Sequence, residues 1–564
     1  MDLMLIIRKH VLANALKYEG KASQGAVIGK ILGEAPDLKK DMKIIGKHIN
    51  ETITEVNKLG VERLREELEK IAPEMLEKKK HVEKGLPELN NAEQGKVVVR
   101  FAPYPSGPLH IGNARPAVLN DEYAKKYDGK LLLVIDDTIG SEEKQIAPEA
   151  YDLIPQGLSW LGVKWFGSMI YKSDRLQVYY DHAKKIIEKG EAYVCTCLFE
   201  ELRKKREAAA DCEHRKQEVA ETLAAWQKML DGFYKEGEAV LRIKTSMTHP
   251  NPAFRDRVLF RISERPHPKV GKKYRVWPLL EFSWAIDDNL LGITHVIRGK
   301  DLMIESDMER FIWNIMGWPH KEIIHLGLVQ LEGVKISKSK SSHEVQTGQY
   351  IGWDDPRTWS LQSLERRGIR PEAIRQFVLS FGTNMNEITA PIDNLYTENR
   401  KLIEKEASRF FFVHNPKEVR IDNAPHSISH IKKHPQNPEL GHRELISNGI
   451  FYITHEDYAA LEDGRVNRLM DCLNFIKNGH NLTFHSQGIE DFRKQGSKII
   501  HWLPVIPELL QVKVFMPDGT TLEGFGEPTL KELALGAMLQ FERFGFCRYD
   551  HDEDDVKVFW FSHK

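Results

Sequence analysis

Cysteine is scarce in this chain, five among 564 residues. So few thiols build no disulfide framework and point to a reducing compartment. Long apolar runs are missing too. Nothing approaches the ~20 residues that span a bilayer, and the apolar stretch in the opening MDLMLIIRKH is too short for a secretion signal. Net charge is almost absent, with 81 Lys and Arg against 82 Asp and Glu. That balance excludes a generally cationic nucleic-acid binder but leaves room for local basic faces. The expectation is a cytoplasmic protein with no membrane partner. What the chain does have is 41% hydrophobic and 29% charged residues, the composition of an ordinary globular protein. Its length exceeds what one core organises, so several domains are expected.

Residues 1–90 show apolar residues at helical spacing in VLANALKY, DMKIIGKHINETITEVNKL and VERLREELEKI. Between the first two lies GKASQGAVIGKILGEAPDL, which its glycines mark as a connector. Residues 1–50 hold nine Lys and Arg against five Asp and Glu, a mild basic excess. The polar EKGLPELNNAEQ reads as a linker. From Lys96 the pattern alternates: VVVRFA, then ARPAVLNDEYAKKY, then KLLLVIDD. This is a βαβ unit, hence a parallel sheet. Ligands of such sheets sit beyond the carboxyl ends of the strands, where Arg100 and the Asp136–Asp137 pair fall. A strand-like run over Ile323–Leu331 precedes a polar loop, KISKS. From about Ala390 short strands with turn residues suggest antiparallel barrels.

Two stretches carry chemistry. In KVVVRFAPYPSGPLHIGNAR a buried strand runs into prolines and glycine, and a helix starts near Ile111 with His110 and Asn113 at its mouth. A helix start presents free N–H groups and partial positive charge, which suit a phosphate. Gly112 lets a ligand approach the backbone. A lone H-x-G fits a proline-rich connector equally well. The second stretch pairs Cys195 and Cys197 with Cys212 and His214 across the helix-like LFEELRKKREAAAD. Four such N/S ligands can surround Zn²⁺ tetrahedrally; the alternative is four unrelated residues in an inserted hairpin. Cys472 and Cys547 lack such neighbours and read as packing residues.

H-I-G-N and K-I-S-K-S, in this order, resemble the HIGH and KMSKS motifs of class I aminoacyl-tRNA synthetases. The longer RFAPYPSGPLHIGNAR resembles the glutamyl/glutaminyl subgroup in its archaeal and eukaryotic form. The resemblance implies a multidomain α/β plus all-β protein. A helical appendix would occupy 1–90 and a Rossmann-like catalytic domain 96–330. A zinc-binding insertion at about 192–273 would take the tRNA acceptor end. The KISKS loop and a helical stem-contact region would fill 331–389, and anticodon-binding β-barrels 390–564.

The implied reaction activates an amino acid with ATP and Mg²⁺, then esterifies tRNA. By resemblance His110, Asn113, Lys335 and Lys338 are catalytic, and His110, Gly112, Gly299, Lys335, Ser337 and Lys338 hold ATP. Arg100, Ala102, Asp136 and Arg298 would bind the amino acid. Two guanidiniums in a desolvated pocket favour a carboxylate over an amide, so the implied substrates are glutamate and tRNA-Glu, with tRNA-Gln as a second acceptor, for a monomer. Cys195, Cys197, Cys212 and His214 would hold structural zinc. Four positions depart from the subgroup's pattern: Tyr104, Asn113, Val134 and Leu280. They keep a non-catalytic tRNA-binding paralogue open as an alternative, beside a glutaminyl enzyme.

Overall fold

A computed structural model describes residues 3–17, 20–34, 42–76, 85–140, 145–334 and 338–564. Contacts divide the chain into two units, Met1–Pro87 and Glu88–Lys564. The first packs helices Leu3–Lys17, Gln24–Glu34, Met42–Val56 and Val61–Ile71 around Ile7, Val11, Val27, Ile31, Ile45, Ile49, Leu64 and Leu68. The stretch expected as a glycine-marked connector is therefore largely a helix. Val27 and Ile31, one turn apart, are buried in this core. Gly25 and Gly29 have nothing within 4 Å of an added Cβ. Burying the two apolar side chains outweighs the roughly 1 kcal/mol that each glycine costs a helix.

In the second unit, strand Val98–Phe101 pairs parallel with Lys130–Ile135, which pairs parallel with Ile170–Tyr171. A second parallel pair, His295–Gly299 with Glu322–Leu326, joins through Thr294. Its N–H donates to the Val98 carbonyl at 2.9 Å, and Val98 N–H donates to its hydroxyl at 2.9 Å. The run expected as one strand over 323–331 breaks after Leu326 and resumes at Val329–Leu331. At the break an added Cβ on Gly327 would lie 1.8 Å from the Asn386 carbonyl oxygen. Helix Ile111–Lys126 makes the first crossover.

An antiparallel sheet of Ala192–Cys195, Val240–Ile243, Val258–Ile262 and Val276–Pro278 follows. Its last strand lies beyond residue 273. Phe260 and Trp277 of this sheet share one core with Leu176, Phe282 and Trp313. The inserted sheet thus shares its core with helices Leu176–Glu188, Leu280–Leu290 and Met303–Met316.

Helices Leu361–Arg366, Pro371–Leu379 and Ile392–Ile403 lead to the C-terminal region. The third falls where strands were expected; Leu395, Asn399 and Ile403 bury one face at the helical period. Two seven-stranded sheets complete the chain. At the edges of one lie Ser408–Phe410 and Phe412–His414, and at the edges of the other Gly496–Ile500 and Leu503–Pro504. In each case the two edge strands are neighbours in sequence, which gives each sheet a barrel-like course. The architecture is mixed α/β plus all-β, in keeping with the sequence.

Candidate active site

His110 is the N-cap of helix Ile111–Lys126. Its Nδ1 accepts the Gly112 N–H at 3.0 Å, and the Asn113 side chain accepts the His110 N–H at 3.2 Å. An Nδ1 that accepts leaves the ring proton on Nε2, a donor at the mouth of the helix. An added Cβ on Gly112 would lie 2.9 Å from His110 Cε1, so glycine is needed for the ring to sit there. Arg115 ties the same helix to the carbonyls of Gly327 and Gly382 at 2.6 and 2.8 Å.

The carboxyl ends of the parallel strands meet around Trp284. Arg100, Lys172 and Arg298 all lie over its ring, with centroid distances of 4.8, 4.9 and 5.0 Å. Each cation has its own carboxylate. Arg100 donates to both oxygens of Asp288, the Nη2 bond being 2.9 Å. Lys172 Nζ is 3.1 Å from Asp136 Oδ2 and donates to Ser283 Oγ at 2.8 Å. Arg298 donates to the two oxygens of Glu309 at 2.7 and 3.0 Å, and to Ser306. Three cations thus face three carboxylates, all buried. Burial pushes the Lys172 ammonium down and the Glu309 carboxyl up, the latter to about 7 despite Arg298.

Asp136 therefore faces Lys172, and its Oδ1 also accepts the Thr138 hydroxyl at 3.1 Å. Ala102 directly follows the first strand. Gly299 ends the strand of Arg298 at a point where an added Cβ would lie 2.2 Å from Asp301 Oδ1. Lys335 and Ser337 lie outside the described residues. Lys338 starts helix Lys338–Gln346, but its side chain is likewise outside the description. Of the departures, Val134 is buried in its strand and Leu280 opens helix Leu280–Leu290. Burial, with help from Asp136, pushes the Tyr104 hydroxyl up to about 12, so it stays protonated.

Lys172, Trp284, Asp288 and Glu309 escape sequence reasoning. None sits in a motif, and Lys172 follows a strand of only two residues. The one available signal was the unusual acidity of LLEFSWAIDDN within an otherwise apolar run.

Away from this site, Cys195, Cys197, Cys212 and His214 come together with all ligand atoms within 4.8 Å of one another. Sulfur–sulfur distances from Cys212 to Cys195 and Cys197 are 3.5 and 3.4 Å, and His214 Nδ1 is 3.2 Å from Cys212 Sγ. His214 Nε2 bonds Thr196 Oγ1 at 2.9 Å, which leaves Nδ1 to face the sulfurs. A metal centre fits this donor set.

The family described as tRNA synthetases class I (E and Q), catalytic domain, matches residues 96–405. The anticodon-binding domains of the same synthetases match 407–487 and 499–550. The chain belongs to the class I tRNA synthetases of the E and Q group. Proteins named glutamate–tRNA ligase are similar over the whole length. The one from Methanothermobacter thermautotrophicus is 41% identical over 99% of each chain. That from Methanocaldococcus jannaschii is 42% identical over 98% of each, and that from Pyrococcus furiosus 43% identical over 100% of each. Among solved structures, a glutamate tRNA ligase from Elizabethkingia meningosepticum CCUG26117 in complex with its amino acid aligns with TM-score 0.38 and 19% identity, over 55% of this chain and 70% of that one.

Proposed function

We propose that this chain is a glutamate–tRNA ligase, joining glutamate to tRNA-Glu at the expense of ATP. The observation that carries the reading is the similarity over nearly the full length, above 40%, to ligases of that name. In the reaction the α-carboxylate of glutamate attacks the α-phosphate of ATP and pyrophosphate leaves; the tRNA 3′ hydroxyl then attacks the acyl carbon of the adenylate, and AMP leaves as the ester forms. Charge builds on phosphate oxygens, so positioned donors serve better than a nucleophile. The start of the helix at Ile111 and His110 Nε2–H supply such donors, and Gly112 admits the phosphates. Lys335 and Lys338 close over the outer phosphates, Ser337 also binds ATP, Mg²⁺ accompanies it, and Gly299 meets the adenine. Arg100, Ala102 and Arg298 meet the glutamate side chain, and Asp136 its α-amino group.

The four clustered ligands hold Zn²⁺, which organises the insertion near the acceptor end of tRNA. The C-terminal barrels read the anticodon. No described helix is long and apolar enough to cross a membrane. The test is charging of total tRNA with labelled glutamate and glutamine in parallel; absence of glutamate on tRNA ends the reading. One observation favours a second reading as a non-catalytic tRNA binder: Arg100 and Arg298 are already neutralised from within the protein. Binding of tRNA-Glu without any glutamate-dependent pyrophosphate exchange would select it.

A further inference from the structure

The Arg298 fork is occupied before any substrate arrives. Both Nη atoms serve Glu309, and Nη2 also serves Ser306. Ser306 Oγ donates to the Leu302 carbonyl at 3.0 Å and meets His325 Nε2 at 2.8 Å. The Nε–H of Arg298 is buried and has no acceptor among the described residues, and so is Nε1–H of Trp284 beneath it. A buried donor without an acceptor is costly. The Arg298 Nε–H therefore calls for an acceptor that the described part of the protein does not supply.

We infer that Glu309 sets the side-chain selectivity of this pocket: it shares Arg298 with the substrate, so that a glutamate side chain binds with uptake of a proton at Glu309 while a glutamine side chain binds without it. The inference rests on the reading of Arg298 as a substrate-facing residue. Besides the Lys172–Asp136 pair, four charged groups face one another here: Arg298 and Arg100 on their strands, Asp288 on helix Leu280–Leu290 and Glu309 on helix Met303–Met316. Two guanidiniums balance two carboxylates. A third carboxylate, brought by substrate, breaks the balance in a buried site, and one of the three must be neutralised. Glu309 is the group prepared for it, because burial and Asp288 push its carboxyl up against the pull of Arg298 and Arg100. His325, reached through Ser306, is held down by burial and by Arg298 and so does not take the proton. A substrate amide adds no charge and leaves the pair as it stands.

The experiment measures proton uptake on binding of glutamate and of glutamine to the intact wild-type chain, by calorimetry in two buffers of different ionisation enthalpy. Glutamate is expected to take up a large fraction of one proton above pH ~7 and glutamine close to none, with KM for glutamate rising up to ~10-fold per pH unit there. Glu309→Gln should abolish the glutamate-linked uptake and flatten the KM profile. It should also raise the glutamate-over-glutamine ratio of kcat/KM at pH 8 by at least ~10-fold. Equal proton counts for the two amino acids in an enzyme that charges glutamate overturn the role of Glu309 alone, and the wild-type measurement decides this even if the variant folds poorly. A wild-type chain that charges neither amino acid removes the reading of the site, and the inference with it.

Discussion

Arg100 and Asp288, 188 positions apart, form a buried two-pronged ion pair that joins the first strand of the parallel layer to helix Leu280–Leu290. The pair does structural work, because each charge depends on the other for its burial.

Removing one partner should therefore be worse than removing both. Asp288→Asn leaves a guanidinium uncompensated and should cost about 3–5 kcal/mol of unfolding free energy, the range for a broken buried pair. Arg100→Leu with Asp288→Leu should recover most of that loss while abolishing charging. Denaturant unfolding of the variants, each beside wild type, checks both statements. A single variant as stable as wild type would show that water reaches the pair.

His110 caps its helix and, on the proposed function, also serves activation; two substitutions separate the two roles. His110→Ala removes an N-cap and should cost about 0.5–2 kcal/mol together with a large loss in the activation rate. His110→Asn restores a side chain that caps well, so stability should return while the rate stays low. Single-turnover adenylate formation and thermal unfolding read the two effects. An asparagine variant at wild-type rate would reduce His110 to a cap.

Purified protein should carry about one zinc per chain, as a closed four-ligand centre requires. Cys195→Ser should release the metal and expose the insertion to protease while the parallel layer stays folded. Elemental analysis of native, unchelated protein reads the first outcome; a metal content near zero would end the assignment.

Two histidines of the C-terminal region should make it acid-sensitive. His501 Nε2 bonds the Phe412 carbonyl at 2.9 Å, while its Nδ1 accepts from Arg543 at 3.1 Å. His563 Nε2 accepts from Asn399 at 3.0 Å, and its Nδ1 bonds the Lys564 carbonyl at 2.9 Å. Both rings are locked neutral, and burial foremost pushes each down to about 4. A value depressed below that of a free imidazole means stability is full above pH ~6.5 and is lost as pH falls toward ~4, at up to roughly 1.4 kcal/mol per pH unit for each ring. His563→Gln should flatten part of that slope. An unfolding free energy independent of pH between 7 and 4.5 would contradict the account.

Much of this protein was legible in its sequence because its signals are local. The strand at Val98, the break over Pro103–Pro108, the helix start at Ile111 and the Cys195/Cys197 spacing follow from residues near in the chain, whose backbone preferences act over a few positions. The helix over Gln24–Glu34 was missed because glycine propensity is weak beside the burial of Val27 and Ile31, which only packing reveals. The helix Ile392–Ile403 and the strand order of both seven-stranded sheets likewise depend on partners distant in sequence. The same holds for the site. Arg100 and Asp136 could be named from their strand ends and Arg298 from the family resemblance, but what each one faces could not. Asp288, Lys172 and Glu309 reach those residues from separate elements, and a charge pair leaves no periodic trace in the chain. Sequence alone thus pointed to two of the three cations of the site, Arg100 and Arg298, and left Lys172 out. Only the tertiary structure decided that each is already matched by a carboxylate, because that match is made through space, where burial makes an unpaired charge too costly to keep.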